Sequence, residues 1–167
     1  ARQLWHRCAR AAVVARAASR GVGASTVLKR SQHPTRELRI ETATVCSYRC
    51  VMCPRETLTR AQTHMPNELF DDIVRRAARE LPWLQMCTVS GFGDFAHDPG
   101  WRHKLASARR HFDSVHVVTT LAPLQLDDIP ALAALATEVR VSIYGVDEAS
   151  YRAVHRPPRR TRYADIE

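Results

Sequence analysis

Two hydrophobic periods alternate along residues 37–156. "ELRIETATV" (37–45) alternates apolar with polar positions, contains Leu38, Ile40 and Val45, and predicts a strand. "MPNELFDDIVRRAAREL" instead places Leu69, Phe70, Ile73, Val74, Ala77 and Leu81 at helical spacing. Pro66 suits the first turn of that helix. Glu68, Asp71 and Asp72 lie early in it and Arg75, Arg76 and Arg79 late, matching the helix dipole. The apolar run "WLQMCTVSGFG" reads as a buried strand, "GWRHKLASARRHF" as a helix and "SVHVVTT" as a strand. "LDDIPALAALATE" predicts a short helix with Asp127 and Asp128 in its opening turn; "VRVSIYG" predicts a fourth strand and "VDEASYRAVHR" another helix. The prolines of "HRPPRR" forbid helix continuation, and "TRYADIE" reads as the opening of a further helix.

Strand and helix therefore alternate four times, with short connections and no hairpin signal. That order predicts parallel strands joined by helical crossovers. The expected fold class is α/β, a partial (β/α) barrel of about four parallel β/α units. Four units do not close a barrel, so the sequence is expected to lack the last units.

Length and composition narrow this picture. The 167 residues suffice for one domain with a real core, and 45% of them are hydrophobic. No apolar run approaches the roughly 20 residues that cross a bilayer, so no transmembrane segment is expected. Five cysteines, an odd number with three crowded together, argue against a secreted disulfide framework and for a cytoplasmic protein.

Charge divides the chain. Of the formal net +8, all lies in residues 1–36, which hold eight Lys or Arg and no acid; the remainder has seventeen of each sign. We therefore divide the chain into a basic helical arm and linker (1–36) and a core domain (37–167). The arm, "ARQLWHRCARAAVVARAASRGVGAS", is Ala- and Arg-rich and predicts a helix up to "GVG", with Leu4, Cys8, Ala12 and Ala15 in one apolar stripe. A helix packing on the body, a membrane-surface or polyanion contact, and a targeting sequence are the competing readings. A nucleic-acid footprint is normally a basic face on the folded body. This body is neutral, which argues against nucleic acid as a partner.

In parallel α/β folds, ligands bind at the carboxyl ends of the strands. Here the first strand runs into Cys46, Cys50 and Cys53, the second into "SGFGD" (Ser90 to Asp94), the third into Thr119 and Thr120, and the fourth carries Ser142. All four concentrations fall on one rim. Three thiols in eight residues do not pair off as disulfides. A structural zinc site with His64 or His97 as fourth ligand is one reading. Three thiolates on an iron–sulfur cluster, with one iron left open, is the other. Cys8 and Cys87 read as packing thiols.

"CSYRCVMC", "HMPNELFDDIV", "VSGFGDFAHDP", "VVTTLAPL" and "VRVSIYGVDEASY", in that order, resemble the radical S-adenosylmethionine (radical SAM) superfamily over residues 37–156. The resemblance is to the N-terminal catalytic barrel of its SPASM branch, which modifies peptides or natural products. It implies that Cys46, Cys50 and Cys53 each hold one iron of a [4Fe-4S] cluster. The fourth iron would chelate the amino and carboxylate groups of S-adenosylmethionine. Reductive cleavage would then give methionine and a 5′-deoxyadenosyl radical that abstracts hydrogen from substrate.

By the same resemblance, Gly91 and Gly93 let backbone approach the methionine ammonium, with Asp94 standing where Glu is common. Ser142 would bond the ribose or carboxylate, Met52 and Tyr48 would pack near the adenine, and Arg156 would reach toward the carboxylate. The implied partners are a peptide or small-molecule substrate and a reducing partner such as a flavodoxin or ferredoxin. His97, Asp98, Tyr144 and His155 are candidates for the substrate mouth, and no catalytic residue is singled out. Three departures stand out: Ser47 for Asn, "GDFAHDP" for a Gly-Glu-Pro-Leu type stretch, and Thr119-Thr120-Leu121 for a Thr-Asn-Gly type turn. The alternatives are a non-catalytic module that keeps the fold or the cluster, and a zinc-stabilised nucleic-acid binder.

Overall fold

In the computed structural model of the chain, strands β1 (Glu37–Ile40), β2 (Met86–Val89), β3 (Ser114–Thr119) and β4 (Glu138–Val141) lie side by side in chain order, every neighbouring pair parallel. The structure describes residues 35–166. The helical arm and its apolar stripe lie outside the described residues. Helices α1 (Asn67–Glu80), α2 (Trp101–His111) and α3 (Ile129–Leu135) make the crossovers, and α4 (Glu148–His155) follows β4. The expected α/β class and the run of parallel β/α units are thus present.

Register explains the core. Leu38, Cys87 and Val115 share one row, and Ile40, Val89, Val117 and Val139 share another two residues on. Successive residues of a strand face opposite sides, so both rows face the same helix layer. There all but the exposed Val139 pack with Phe70 and Val74 of α1, Leu105 and Ala108 of α2, and Leu132 of α3. Complete burial of one such side chain stabilises by about 1.5–3 kcal/mol. The other face of the sheet carries Arg39, Thr88, His116, Glu138 and Arg140. That face is polar.

Three expectations are modified. The ladder of the first strand ends at Ile40, although the alternating pattern runs to Val45. Beyond Ile40 the chain leaves the sheet and bonds a neighbouring strap instead: Met65 N–H donates to Thr42 O (2.8 Å) and Thr44 N–H to Thr63 O (3.0 Å). The segment 163–165 forms one 3-10 turn and not a longer helix. On α1 the buried stripe is Phe70, Val74 and Ala78, with Leu69 turned to solvent.

One buried ion pair locks the helix layer to the strand ends. Lys104 Nζ lies 2.7 Å from Asp98 Oδ2, both side chains 2% exposed, and also donates to Asn67 Oδ1 (2.8 Å). It joins the loop after β2 to α2 and to the first turn of α1. No helix among the described residues is long and apolar enough to cross a membrane.

Candidate functional site at the carboxyl ends of the strands

The cysteine loop starts where β1 has left the sheet, and its backbone is held from three sides. Ser47 N–H donates to His97 Nε2 (3.1 Å). Arg49 N–H and Val51 N–H donate to His155 O (3.3 Å) and Val154 O (2.9 Å). Carbonyls in the last turn of a helix have no intrahelical partner. The loop amides therefore satisfy α4, and α4 in turn shapes the loop. From below, the buried Arg55 guanidinium donates to Tyr48 O (2.8 Å), and the Tyr48 and Tyr151 hydroxyls meet at 2.7 Å.

Cys46, Cys50 and Cys53 are half-buried free thiols. Burial is the main reason that the Cys46 thiol is pushed up to about 11 and that Cys50 is also raised. Both are therefore protonated at neutral pH, and metal uptake would release their protons. Among the described residues, no three His, Cys, Asp or Glu side chains converge as ligands of a single ion. The zinc reading required His64 or His97 to complete such a cage. His97 Nε2 is occupied by Ser47 N–H, and His64 sits on an antiparallel bridge to Ala43. A cluster takes one thiolate per iron, at separate corners. Three half-buried thiols spread along one loop and opening on one cleft fit that donor set.

Across the cleft, the glycine-rich end of β2 packs against the exit of β1. A Cβ on Gly91 would fall 2.2 Å from Glu41 Oε1, and one on Gly93 would fall 2.0 Å from Ala43 O. Backbone occupies the space beside Gly93, so that position has no room for a side chain, whereas the neighbour of Gly91 is the Glu41 side chain. Glu41 Oε1 accepts from Phe92 N–H (2.6 Å) and Gly93 N–H (3.2 Å), and Arg60 pairs with Glu41 at 2.6 Å.

Asp94 is 3% exposed, and protein donors surround its carboxylate. The Thr119 hydroxyl donates at 2.8 Å, the Thr120 hydroxyl at 2.8 Å, Thr120 N–H at 2.7 Å and Ala96 N–H at 3.1 Å. The acid thus caps the 3-10 turn at Phe95–His97 and ties the ends of β2 and β3 together. In the turn that follows, Leu121 has φ 62°, a left-handed conformation that favours glycine.

The three cysteines and the six residues assigned to S-adenosylmethionine from the sequence line one cleft: Cys46, Cys50, Cys53, Tyr48, Met52, Gly91, Gly93, Asp94 and Ser142. It is an open cleft, concave and lined by both apolar and polar groups, as small-molecule and cofactor sites are. Met52 is 55% exposed at the mouth, whereas Tyr48 is 1% exposed and packed into the wall. Tyr144 and His155 also line the cleft, His155 with Nδ1 3.3 Å from Cys50 Sγ. His64, His97, Asp98 and Arg156 lie outside it. Asp98 is held in the Lys104 pair, and Arg156 terminates α4 in a left-handed conformation (φ 47°).

Sequence reasoning overlooked Glu41, Arg55 and Tyr151. Only Tyr151 carried a signal, since its four-residue spacing from His155 puts both on one face of a helix.

No family model matches the chain, and no curated protein matches it in sequence. Solved structures do match in fold. The structure of BtrN in complex with AdoMet and 2-DOIA aligns over 71% of this chain and 50% of its own, with TM-score 0.59 and 14% identity. SuiB of Streptococcus suis bound to S-adenosylmethionine aligns over 80% of this chain and 31% of its own, with TM-score 0.65 and 14% identity. SuiB bound to the precursor peptide SuiA gives TM-score 0.64 over the same 80% of this chain and 30% of its own, again at 14% identity. At 14% identity these likenesses show that the chain shares their fold. It spans half the length of BtrN and under a third of SuiB.

Proposed function

We propose that this chain is a radical SAM enzyme, or the catalytic N-terminal portion of one. The observation that carries the reading is that three thiols from one loop open on the same cleft as Gly91, Gly93 and Ser142, at the carboxyl ends of parallel strands. Cys46, Cys50 and Cys53 would hold a [4Fe-4S] cluster, with S-adenosylmethionine beside it. When bound, the pair supplies an electron and a cleavable carbon–sulfur bond, and hence a 5′-deoxyadenosyl radical that takes hydrogen from substrate.

The protein's part is to bind, orient and keep water out. Ser142 offers a hydroxyl for the ribose or carboxylate. Met52, exposed at the mouth, offers a flexible apolar cover for the adenine. Tyr48 supports that wall through its bond to Tyr151. Asp94 positions the ends of β2 and β3, and its charge favours an ammonium nearby.

The substrate class we favour is a peptide or small molecule. SuiB, one of the fold neighbours, has been crystallised with a precursor peptide. A flavodoxin or ferredoxin would donate the electron, and the setting would be cytoplasmic. The basic arm (1–36) would pack as a helix on the body.

A second reading has one observation in its favour. The Asp94 carboxylate is already filled by protein donors, which suits a module that keeps the fold without turnover. Anaerobic reconstitution with iron and sulfide, then reduction with S-adenosylmethionine present, separates the two. The enzyme reading predicts release of 5′-deoxyadenosine and methionine. Iron-loaded protein that releases neither would establish the non-catalytic module.

A further inference from the structure

His155 ends α4 with its ring buried, 1% exposed, and both ring nitrogens have partners. Nε2 lies 2.7 Å from Tyr144 N. A backbone N–H only donates, so Nε2 accepts, and a neutral imidazole then carries its proton on Nδ1. Nδ1 lies 3.3 Å from Cys50 Sγ, so that N–H points at sulfur. Three aromatic rings fix the imidazole in this setting. Tyr144 stacks on it at 5.2 Å and 25°, Tyr48 meets it edge-on at 5.6 Å, and Tyr151 lies 4.9 Å away. The backbone bonds from Arg49 and Val51 to the end of α4 hold the cysteine loop against it. Cys46 has a weaker kind of neighbour, the Tyr48 backbone N–H at 3.4 Å.

We propose that His155 is a positioning residue for the cysteine site: its Nδ1–H donates to Cys50 Sγ, orients that ligand toward the cleft and eases reduction of the bound cluster. This rests on the radical SAM reading above. Hydrogen bonds to cluster sulfurs help set reduction potential, because they favour the state with more negative charge on sulfur. A histidine whose tautomer is fixed by a backbone amide delivers such a bond without carrying a charge of its own.

Two measurements test it. In the full, metal-free chain, ¹⁵N NMR of the imidazole should find His155 as the Nδ1–H tautomer; the Nε2–H tautomer would overturn the hydrogen bond. In the reconstituted protein, His155→Asn sets an amide N–H where Nδ1 stands, whereas His155→Gln reaches the Nε2 position and leaves the sulfur without its donor. Spectroelectrochemistry should give His155→Asn a midpoint close to that of wild type. For His155→Gln the reduced fraction at fixed potential should fall about tenfold, a one-electron shift of about 59 mV to more negative values. Equal shifts in the two variants, or none in His155→Gln, would overturn the redox role. A wild-type chain that takes up no iron would instead overturn the function reading, and the redox role with it. The wrong tautomer in a chain that does load iron overturns the hydrogen bond alone.

Discussion

The cysteine rim and the Asp94 rim face each other across one cleft, yet their polar groups are used differently. On the Asp94 side the carboxylate is buried and surrounded by the donors of Thr119, Thr120 and Ala96. On the cysteine side the hydrogen bonds run mainly through the backbone, to His97, His155 and Val154, and the three thiols stay half-buried at the cleft. One rim uses its polar atoms to join strands. The other fixes mainly its backbone and leaves three free thiols at the cleft. A carboxylate at the right place in a motif is therefore not automatically a ligand group, since its hydrogen-bond partners decide.

This contrast breaks if the two rims respond alike to substitution. The largest effect expected is for Cys50→Ala: cluster content and 5′-deoxyadenosine release should fall to background. Urea unfolding of the metal-free variant should stay within about 1 kcal/mol of wild type, as for a small half-buried side chain. On the opposite side, and in the Asp98–Lys104 pair that follows it in the chain, the order should reverse. Lys104→Met leaves Asp98 buried without its cation and should cost about 3–5 kcal/mol of stability in the same assay. Asp94→Ala strips the strand-end tie and should cost about 2–3 kcal/mol, with iron content per folded chain unchanged. Smallest of all, Leu121→Gly should stabilise the protein by about 1 kcal/mol, because glycine adopts φ 62° without the Cβ clash.

The fold was legible because its periods are clean. Period two at "SVHVVTT" became β3 with strict alternation of burial, and the helical period of 67–80 became α1. What was not legible depended on chain passing close to chain. The alternation of 37–45 gave no warning that residues 42–44 would bond a strap at 63–65, because an extended segment looks the same whichever partner it has. Gly91 and Gly93 suggested a backbone approached by ligand, and the groups found packed on them are Glu41 and Ala43. His155 could be named as a resident of the mouth. Its bond to Cys50 could not be foreseen, because the two residues lie 105 positions apart.

The site was legible mainly through spacing. Three cysteines in eight residues after a strand imply one loop and one mouth, and that mouth holds Ser142 and the Gly91–Asp94 stretch as well. The Thr119-Thr120-Leu121 departure was visible too. Leu121 there holds the left-handed geometry that glycine adopts more readily.

The measurement closest to the central claim is the electron paramagnetic resonance spectrum of the reduced, reconstituted chain, recorded with and without S-adenosylmethionine. A cluster held by Cys46, Cys50 and Cys53 with one iron open should change its spectrum when the nucleotide is added, and ¹⁷O-labelled carboxylate should broaden it. A cluster whose spectrum ignores the nucleotide, because a protein side chain already fills the fourth position, would contradict the account.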